Sequence, residues 1–451
     1  MKLRSLAVSA LVFGVTLGGP ACGGGGGPAP TFNFAWDVVG IVGTGQSLSV
    51  GALGTPIQAI EPHNNLKLSL GGAAVAPPFD PALASLELVP LTEPLRATAT
   101  SYPSAYPANL YGETPHAAMA NQLTAMAMEQ ASHDYVTVHS VVGESGQPMT
   151  VIKKNPTNIP TTGTGGRAYD ATLFEATAIT RLTAAMGKSY GIGAIVVTHG
   201  ESDAGNAAYA SDLYQLLTDY NADLVPVTGQ GATARIPMLV SQQNSGPAGT
   251  GSVSVSALQV WKASLDHPGE IVCTGPKYQY SYATDPDHVH LNAIEYERLG
   301  EKTAQVYFER VVLGNDWLPL QPTSGEVSSN TVTVHFHVPV PPLVLEDGPA
   351  PHGAQIPQWA LGRGFEVSVA GNRQMINMVE IVGGDSVRIT CANDLTTGEV
   401  VVGYAATAEG GTPPAAQCAR WGHLRDSDPF VGAKTGSAQP NYCVAFQRVV
   451  P

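Results

Sequence analysis

Three short segments carry side chains able to do nucleophilic chemistry, although they lie far apart in the chain. They are Gly45-Gln46-Ser47, His199-Gly200-Glu201-Ser202-Asp203 and Asp287-His288-Val289-His290. A serine hydroxyl is a weak nucleophile and needs a neighbouring base, which a histidine supplies when a carboxylate orients its ring. Each segment follows, or lies close to, an apolar run typical of a buried strand. In an open parallel sheet such positions converge at the carboxyl edge of the strands.

Asp287 and His290 are the partners that we predict for Ser47. A carboxylate three residues before a histidine can accept the Nδ1 hydrogen, which leaves Nε2 to take the serine proton. Asp285 and His288 have the same spacing. We prefer the later pair because His290 lies next to the start of a predicted helix. A solvated loop histidine is the structural alternative.

The negative oxygen that forms during acyl transfer needs fixed hydrogen-bond donors, each worth roughly 3 kcal/mol. We predict the backbone N–H groups of Ser47 and Gly143 as two donors, with Gly146 as a rival to Gly143. The side chain of His199 is the predicted third donor. These three residues would form an oxyanion hole.

The other polar residues of the same segments are expected to hold the loops in place. Glu201 and Asp203 are predicted to accept hydrogen bonds that anchor the loops, and Gln46 and Gly200 have supporting positions. Because serine and aspartate are common helix caps, a helix N-terminus capped by Ser202 or Asp203 remains an alternative for this run.

Short apolar runs alternate with segments of helical period from residue 36 to residue 315. The runs that predict strands are Val38–Val42, Tyr135–Val142, Ile192–Thr198, Pro237–Gln242 and Glu270–Thr274. Strand–helix alternation gives a parallel sheet covered by helices on both faces. We therefore predict a three-layer α/β/α domain.

Helix boundaries and inner faces can be predicted in the same region. Thr114-Pro115 is a start signal, with a capping hydroxyl followed by proline at the first helical position. The predicted inner stripes are Met119, Leu123 and Met126; Ile179, Leu182 and Met186; and, in a helix from Asn292, Tyr296, Leu299, Thr303 and Val306.

The pattern changes to strict alternation in residues 316–451. Apolar residues recur at every second position in Val332, Val334, Phe336 and Val338, and four further short runs follow at Phe365–Val369, Val387–Cys391, Val400–Tyr404 and Cys443–Val449. Short strands separated by turn residues predict an all-β domain, which we expect to be a sandwich.

The first 35 residues read as a targeting segment. Residues 1–21 contain Lys2, Arg4 and an apolar stretch too short to span a bilayer, which is typical of a signal peptide. Cys22 and the glycines that follow it resemble a lipoprotein signal, with residues 22–35 as a flexible tether. We expect an exported cell-envelope lipoprotein, with simple secretion or a periplasmic location as the alternative.

The composition limits the partners. The formal charge of −14, from 22 basic and 36 acidic residues, argues against nucleic acid or anionic lipid and is compatible with neutral sugars. Membrane contact is expected only through the lipid anchor. Export permits disulfides, and Cys418 with Cys443 is the predicted pair. No cysteine spacing indicates a zinc site, and no metal or cofactor is expected.

The order Gly-Gln-Ser, Gly-Glu-Ser-Asp and Asp-x-x-His resembles the SGNH hydrolase superfamily over roughly residues 36–313. Within it, the sequence is similar to the carbohydrate-esterase branch of sialate O-acetylesterases and acetylxylan esterases. The resemblance implies a flavodoxin-like fold with a five-stranded parallel sheet. It also implies a Ser-His-Asp mechanism that removes acyl groups, in particular acetyl, from carbohydrate hydroxyls. His199 stands where the family has an oxyanion-hole glutamine, and Leu48 stands where asparagine is frequent.

Two other functions are compatible with the sequence. One is a catalytically inactive, carbohydrate-binding surface lipoprotein, which the replacement at His199 favours. The other is an esterase for lipid or small aliphatic esters. The sequence does not indicate the sugar, the oligomeric state or the role of the C-terminal domain.

Overall fold

A seven-stranded sheet forms the centre of the N-terminal part. The computed structural model describes residues 31–55, 57, 60–69, 79–95, 112–155, 166–282, 289–347, 356–408 and 420–451. The strands are β1 Val38–Gly45, β2 Leu66–Leu68, β3 Leu88–Pro90, β4 Thr137–Val141, β5 Tyr190–Thr198, β6 Met238–Ser241 and β7 Ile271–Gly275. They pair in the order β3-β2-β4-β1-β5-β6-β7, and every pair is parallel except β2 with β3.

The five long strands of this sheet are those that the sequence predicts, but the strand number of five is wrong. Strands β2 and β3 lie in a Pro- and Gly-rich stretch and have three residues each. A run of three residues is too short to show an alternating pattern, so these strands escape sequence reasoning.

Helices cover both faces of the sheet. They are α1 Pro115–Ala131, α2 Met149–Ile152, α3 Arg167–Ala185, α4 Tyr209–Thr228, α5 Val255–Asp266 and α6 Ala293–Tyr307, which continues into a π-helical turn Phe308–Val312. Val39 and Ile41 of β1 face a core cluster with α1 and α6, whereas Val38 and Val42 face a cluster with α3, α4 and α5. Strand β1 is therefore buried along its whole length, as expected for a central parallel strand.

The predicted helix starts are confirmed by their caps. Thr114 Oγ1 accepts a hydrogen bond from His116 N at 3.1 Å, and the Asn292 side chain accepts one from Glu295 N at 3.1 Å. The predicted inner stripes of α1 and α6 are buried. In α3 the prediction fails at Met186, which is 58% exposed because the helix has already ended.

The C-terminal part contains two four-stranded antiparallel sheets. Its strands are β8 Gln321–Ser328, β9 Thr331–His337, β10 Val344–Leu345, β11 Phe365–Val369, β12 Asn372–Arg373, β13 Ile376–Val382, β14 Ser386–Cys391, β15 Val400–Tyr404, β16 Leu424–Arg425 and β17 Phe446–Val450. One sheet has the order β12-β11-β15-β17 and the other β13-β14-β9-β8. Phe336 of β9 contacts Phe365 of β11 and Phe446 of β17, so the two sheets pack face to face as a sandwich.

Polar side chains connect the two parts, and residues Phe32–Pro451 form one compact unit. Gln242, which follows β6, accepts a hydrogen bond from Ala445 N at 2.8 Å and donates one to Ala445 O at 2.9 Å. Trp261 Nε1 donates to Gln321 Oε1 at 2.7 Å, a second contact between the parts. The side chain of Gln242 thus satisfies the main chain of the C-terminal part as a neighbouring strand would.

The predicted disulfide is not formed at Cys443. That residue is a free, fully buried thiol whose pKa is raised by burial, and its Sγ lies 3.5 Å from Val444 O. Cys418 lies outside the described residues, as do residues 1–30 with Cys22. Across the residues that are described, no helix has the length and apolar character needed to cross a membrane.

Candidate active site

Ser47 lies at the carboxyl end of the central strand, where β1 turns sharply into a 3-10 turn at Ser47–Val50. Gly45 has a φ of +138°, and a Cβ there would lie 2.1 Å from Thr198 O, so only glycine fits between the two strands. Ser47 itself is buried, and its carbonyl accepts a hydrogen bond from Ala52 N at 3.0 Å. The turn therefore holds the serine in a fixed place at the sheet edge.

The segment after β5 is hydrogen-bonded directly to the serine segment. Gln46 N donates to Thr198 O at 3.2 Å, and Gln46 Oε1 accepts a hydrogen bond from Ser202 N at 3.1 Å. Gln46 is 3% exposed, so its own atoms in both bonds are buried. The structure thus brings together the first two segments, which are more than 150 residues apart in the chain.

The histidine segment reaches the same place through a buried apolar cluster. Leu48, the residue after Ser47, packs in one cluster with Leu291, the residue after His290. Tyr296, on the first turns of α6, belongs to that cluster, and its hydroxyl donates to Ala52 O at 2.9 Å. The residues adjacent to Ser47 and to His290 are therefore in one packed unit.

The structure does not show the complete predicted triad. Asp287, with its rivals Asp285 and His288, lies outside the described residues. His290 is half-buried just before α6. Within the described part of the chain, Ser47 Oγ makes no hydrogen bond, and catalytic hydrogen bonds are often long in the absence of substrate. The roles of Ser47 as nucleophile and of His290 as base therefore stay predictions.

Gly143 lies against the serine turn, whereas its rival Gly146 does not. A Cβ at Gly143 would lie 2.0 Å from Ser49 Oγ and 2.8 Å from Gly45 O. Gly146 has a φ of +69° and faces open space. Glu144 N donates to Gly45 O at 2.8 Å, which fixes the loop after β4 beside the turn. Of the two candidates, Gly143 is therefore the one in contact with the serine segment.

His199 is not an oxyanion donor, which corrects the sequence prediction. Its Nε2 lies 2.9 Å from Gln147 O and its Nδ1 lies 2.8 Å from the Tyr209 hydroxyl. Because a carbonyl only accepts, Nε2 carries the hydrogen and Nδ1 accepts from Tyr209. Burial lowers the pKa of His199, so the ring is neutral and has no further N–H to offer. Its side chain holds the loops together instead.

Glu201 and Asp203 each contact a neighbouring loop. Glu201 Oε1 forms a buried ion pair with Lys277 Nζ at 2.7 Å, which connects the loop after β5 to the loop after β7. Asp203 Oδ2 accepts a hydrogen bond from Met149 N at 2.6 Å. A positively charged partner of Glu201 was not predicted, because Lys277 belongs to no recognisable motif.

A second buried ion pair supports the loop that carries Gly143. Arg167 Nε and its terminal nitrogen donate to the two carboxylate oxygens of Glu144 at 3.1 and 3.0 Å. Both side chains are 2% exposed. A two-point contact between planar groups fixes orientation as well as distance. Arg167 was also missed, since it lies in an irregular stretch at the start of α3.

The described residues contain no group of three or more His, Cys, Asp or Glu side chains that could hold a metal ion. A cavity of about 930 Å³ lies at the opposite, amino edge of the sheet and is lined in part by Trp36, Tyr214 and Arg310. It begins near Ile192 at the start of β5 and is separate from the serine segment.

Comparison with solved structures gives the fold. XAC1771, a carbohydrate acetylesterase from Xanthomonas citri, superposes with a TM-score of 0.53 at 14% sequence identity, over 91% of this chain and 80% of that chain. A protein from Arabidopsis thaliana has a TM-score of 0.42 at 17% identity, over 60% of this chain and 98% of its own. NanS has a TM-score of 0.39 at 10% identity, over 62% and 98%.

No protein-family model and no curated protein sequence matches the chain. The likeness to XAC1771 extends over both the α/β part and the C-terminal part, because it covers 91% of the chain. The chain therefore has the overall fold of that protein, with a mixed α/β sheet domain followed by antiparallel sheets.

Proposed function

We propose that this protein is an exported serine ester hydrolase that removes acetyl groups from carbohydrate hydroxyls. The observation that carries the proposal is the shared buried cluster of Leu48 and Leu291, which places the neighbours of Ser47 and His290 together. XAC1771, which has the same fold, is described as a carbohydrate acetylesterase, and this supports a carbohydrate acetyl ester as the substrate. The net charge of −14 suits a neutral sugar.

The reaction follows the serine–histidine–aspartate scheme. Ser47 Oγ bonds to the acyl carbon while its proton passes to His290 Nε2, and Asp287 orients the ring through Nδ1–H. The backbone N–H groups of Ser47 and Gly143 stabilise the negative oxygen. As the carbon–oxygen bond to the sugar breaks, His290 returns the proton to the sugar oxygen. Water, deprotonated by His290, then releases acetate and regenerates Ser47.

The proposal is tested with Ser47→Ala, assayed on p-nitrophenyl acetate. We expect turnover to fall by at least a thousandfold while thermal unfolding is unchanged, since loss of the nucleophile removes the covalent route. Ser264→Ala is the matched control, because its hydroxyl bonds only to Trp261 O in α5, away from the sheet edge. Turnover of Ser47→Ala at the level of the control would refute the assignment.

The substrate requires its own measurement. Acetate release from a panel of acetylated polysaccharides, compared with release from longer acyl esters, separates a carbohydrate acetylesterase from an esterase of lipid or aliphatic esters. We expect acetyl esters of sugars to be preferred. A preference that rises with acyl chain length would support the lipid esterase instead.

An inactive, carbohydrate-binding protein is the second candidate function. It is favoured by His199, whose ring nitrogens both bind within the protein, so that the expected third oxyanion donor is missing at this position. A fluorophosphonate probe distinguishes the two candidates. Covalent labelling that disappears in Ser47→Ala supports the esterase, and absence of labelling in the wild-type protein supports the binding protein.

We also propose lipid attachment at Cys22, which would hold the protein in the cell envelope. The support is the sequence of residues 1–27 alone. Incorporation of a fatty-acid analogue into the wild-type protein but not into Cys22→Ser is the expected result. Equal incorporation into both, or into neither, would contradict the proposal.

A further inference from the structure

Two buried acidic side chains, Glu113 and Glu297, lie where the serine turn is close to α6, the helix that follows His290. Glu113 precedes the cap of α1, and its backbone N donates to Gly54 O at 2.7 Å, next to the serine turn. Its carbonyl oxygen would lie 2.4 Å from a Cβ at Gly51, so the two segments are in direct contact. Glu297 lies one turn into α6 and is 3% exposed. Two buried carboxylates in one place need a cation.

Lys434, from the C-terminal part, supplies that cation. Its Nζ lies 3.0 Å from Glu113 Oε1 and 2.8 Å from Glu297 Oε1. Burial by itself would lower the pKa of Lys434, but the charges and contacts of Glu297 and Glu113 outweigh it and the pKa is raised. Lys434 is therefore charged, and its ammonium bridges the segment beside Ser47 and the helix beside His290.

The backbone around Lys434 is fixed independently of this ion pair. Glu301 of α6 accepts hydrogen bonds from Lys434 N at 2.8 Å and Thr435 N at 2.9 Å. Ala433 N donates to Gln122 Oε1 of α1 at 2.6 Å. A loop held on both α1 and α6 presents the lysine in one position, so the bridge is built into the fold.

We propose that Lys434 is a positioning residue of the esterase site, which sets the distance between the serine turn and the first turns of α6, the helix that follows His290. The inference rests on the proposed function, because it assigns a role to Lys434 only if Ser47 and His290 react together. It also means that the C-terminal part completes the active site and is not a separable binding module.

The test compares Lys434→Met with Lys262→Met in the full chain. Lys262 forms an exposed ion pair with Asp266 on α5, so its loss should change nothing. For Lys434→Met we expect kcat on p-nitrophenyl acetate to fall roughly tenfold or more with little change in KM, because misplaced reacting groups slow the chemical step. The rate of fluorophosphonate labelling at Ser47 should fall by a similar factor.

Lys434→Met leaves two buried carboxylates without their cation and can fail to fold. The triple variant Glu113→Gln, Glu297→Gln and Lys434→Met avoids this, since all three groups become neutral at nearly constant volume. We expect it to unfold at a temperature close to that of the wild type and still show the lower kcat and slower labelling.

A folded triple variant with wild-type kcat and labelling rate would overturn the role of Lys434. Failure of the proposed function gives a different result, because the wild-type protein itself would then not be labelled at Ser47. The two failures are therefore distinguishable in the same experiment.

Discussion

Gln46 Oε1 accepts a hydrogen bond from Ser202 N at 3.1 Å, and this bond joins the residue before the serine to the segment after β5. The same residue donates from its backbone to Thr198 O. A buried residue that makes one contact with its side chain and the other with its backbone fixes the serine turn from two directions.

Gln46→Ala should therefore loosen the turn. It removes the side-chain acceptor of the Ser202 N–H, and we expect a loss of about 1 kcal/mol in the free energy of unfolding. The measurement is urea denaturation, with the exposed Gln215→Ala, whose side chain bonds to Asp219 on its own helix, as control. Equal stability of the two variants would mean that the Gln46 bond is unimportant.

Gly143→Ala and Gly146→Ala form a matched pair. An alanine Cβ at Gly143 would meet Ser49 Oγ at 2.0 Å, so the serine turn must move and kcat should fall at least tenfold. At Gly146 nothing lies within 4 Å, and the φ of +69° costs about 1 kcal/mol of stability without touching the turn. Esterase kinetics and thermal unfolding of both variants check this. Similar kcat values for the two variants would mean that Gly143 is not part of the active site.

Replacing only one member of the buried ion pair Arg167–Glu144 should destabilise the protein strongly. Arg167→Met leaves the Glu144 carboxylate buried without its cation, and we expect about 3–5 kcal/mol of destabilisation. Adding Glu144→Gln to this variant should recover much of the loss. Arg388→Met, at an ion pair with side chains 45% and 41% exposed, should cost under about 1 kcal/mol. A double-mutant cycle from chemical denaturation gives the coupling, and additive losses would contradict the prediction.

Acid should destabilise the protein through His116. Its Nδ1 lies 3.0 Å from His139 Nδ1 in the core, and burial lowers the pKa of His116 to about 4 from 6.5. Between these values the unfolded chain binds a proton that the folded chain does not, so stability falls as the pH drops from 6.5 to 4, by roughly 3 kcal/mol.

His116→Gln should make this part of the stability curve less steep, and part of the slope should remain because burial also lowers the pKa of His139. The exposed His63→Gln should leave the slope as it is in the wild type. The measurement is the free energy of unfolding at several pH values between 4 and 6.5, the range set by the two pKa values. Parallel curves for wild type and His116→Gln would exclude the histidine as the cause.

Glu93 should give the stability of the protein the opposite dependence on pH. Burial, and then the charge of Glu113, raises the pKa of Glu93 to about 8 from 4.5. Between these values the folded chain binds the extra proton, so this residue makes stability fall as the pH rises from 4.5 to 8. Glu93→Gln should lose that slope, and the exposed Glu87→Gln should keep it. A steeper decline in Glu93→Gln than in wild type would show that the sign is wrong.

Local signals carried most of the fold prediction. The run Val38–Val42 predicted the central strand, and Asn292 predicted the start of α6, because strand and cap preferences act within a few residues. Burial of Val332 and Val334 follows from period-two alternation in the same way. Only the short strands β2 and β3 were missed in the first sheet.

The partners of charged groups could not be predicted, because they come from remote segments. Glu201 binds Lys277 at a sequence separation of 76, and Glu113 binds Lys434 at a separation of 321. The orientation of His199 is a similar case. The sequence motif identified His199 as a candidate site residue. The direction of its N–H depends on contacts with Tyr209 and Gln147, which the motif does not contain.

The pairing of Gln242 with Ala445 has a consequence for biogenesis. Ala445 lies 203 residues after Gln242, so a chain emerging from the ribosome presents Gln242 long before its partner has been synthesised. Early domains normally fold while synthesis continues. Here the contact between the two parts forms only after the segment around Ala445 is delivered, and a chain that stops before this segment would leave the Gln242 amide without that partner.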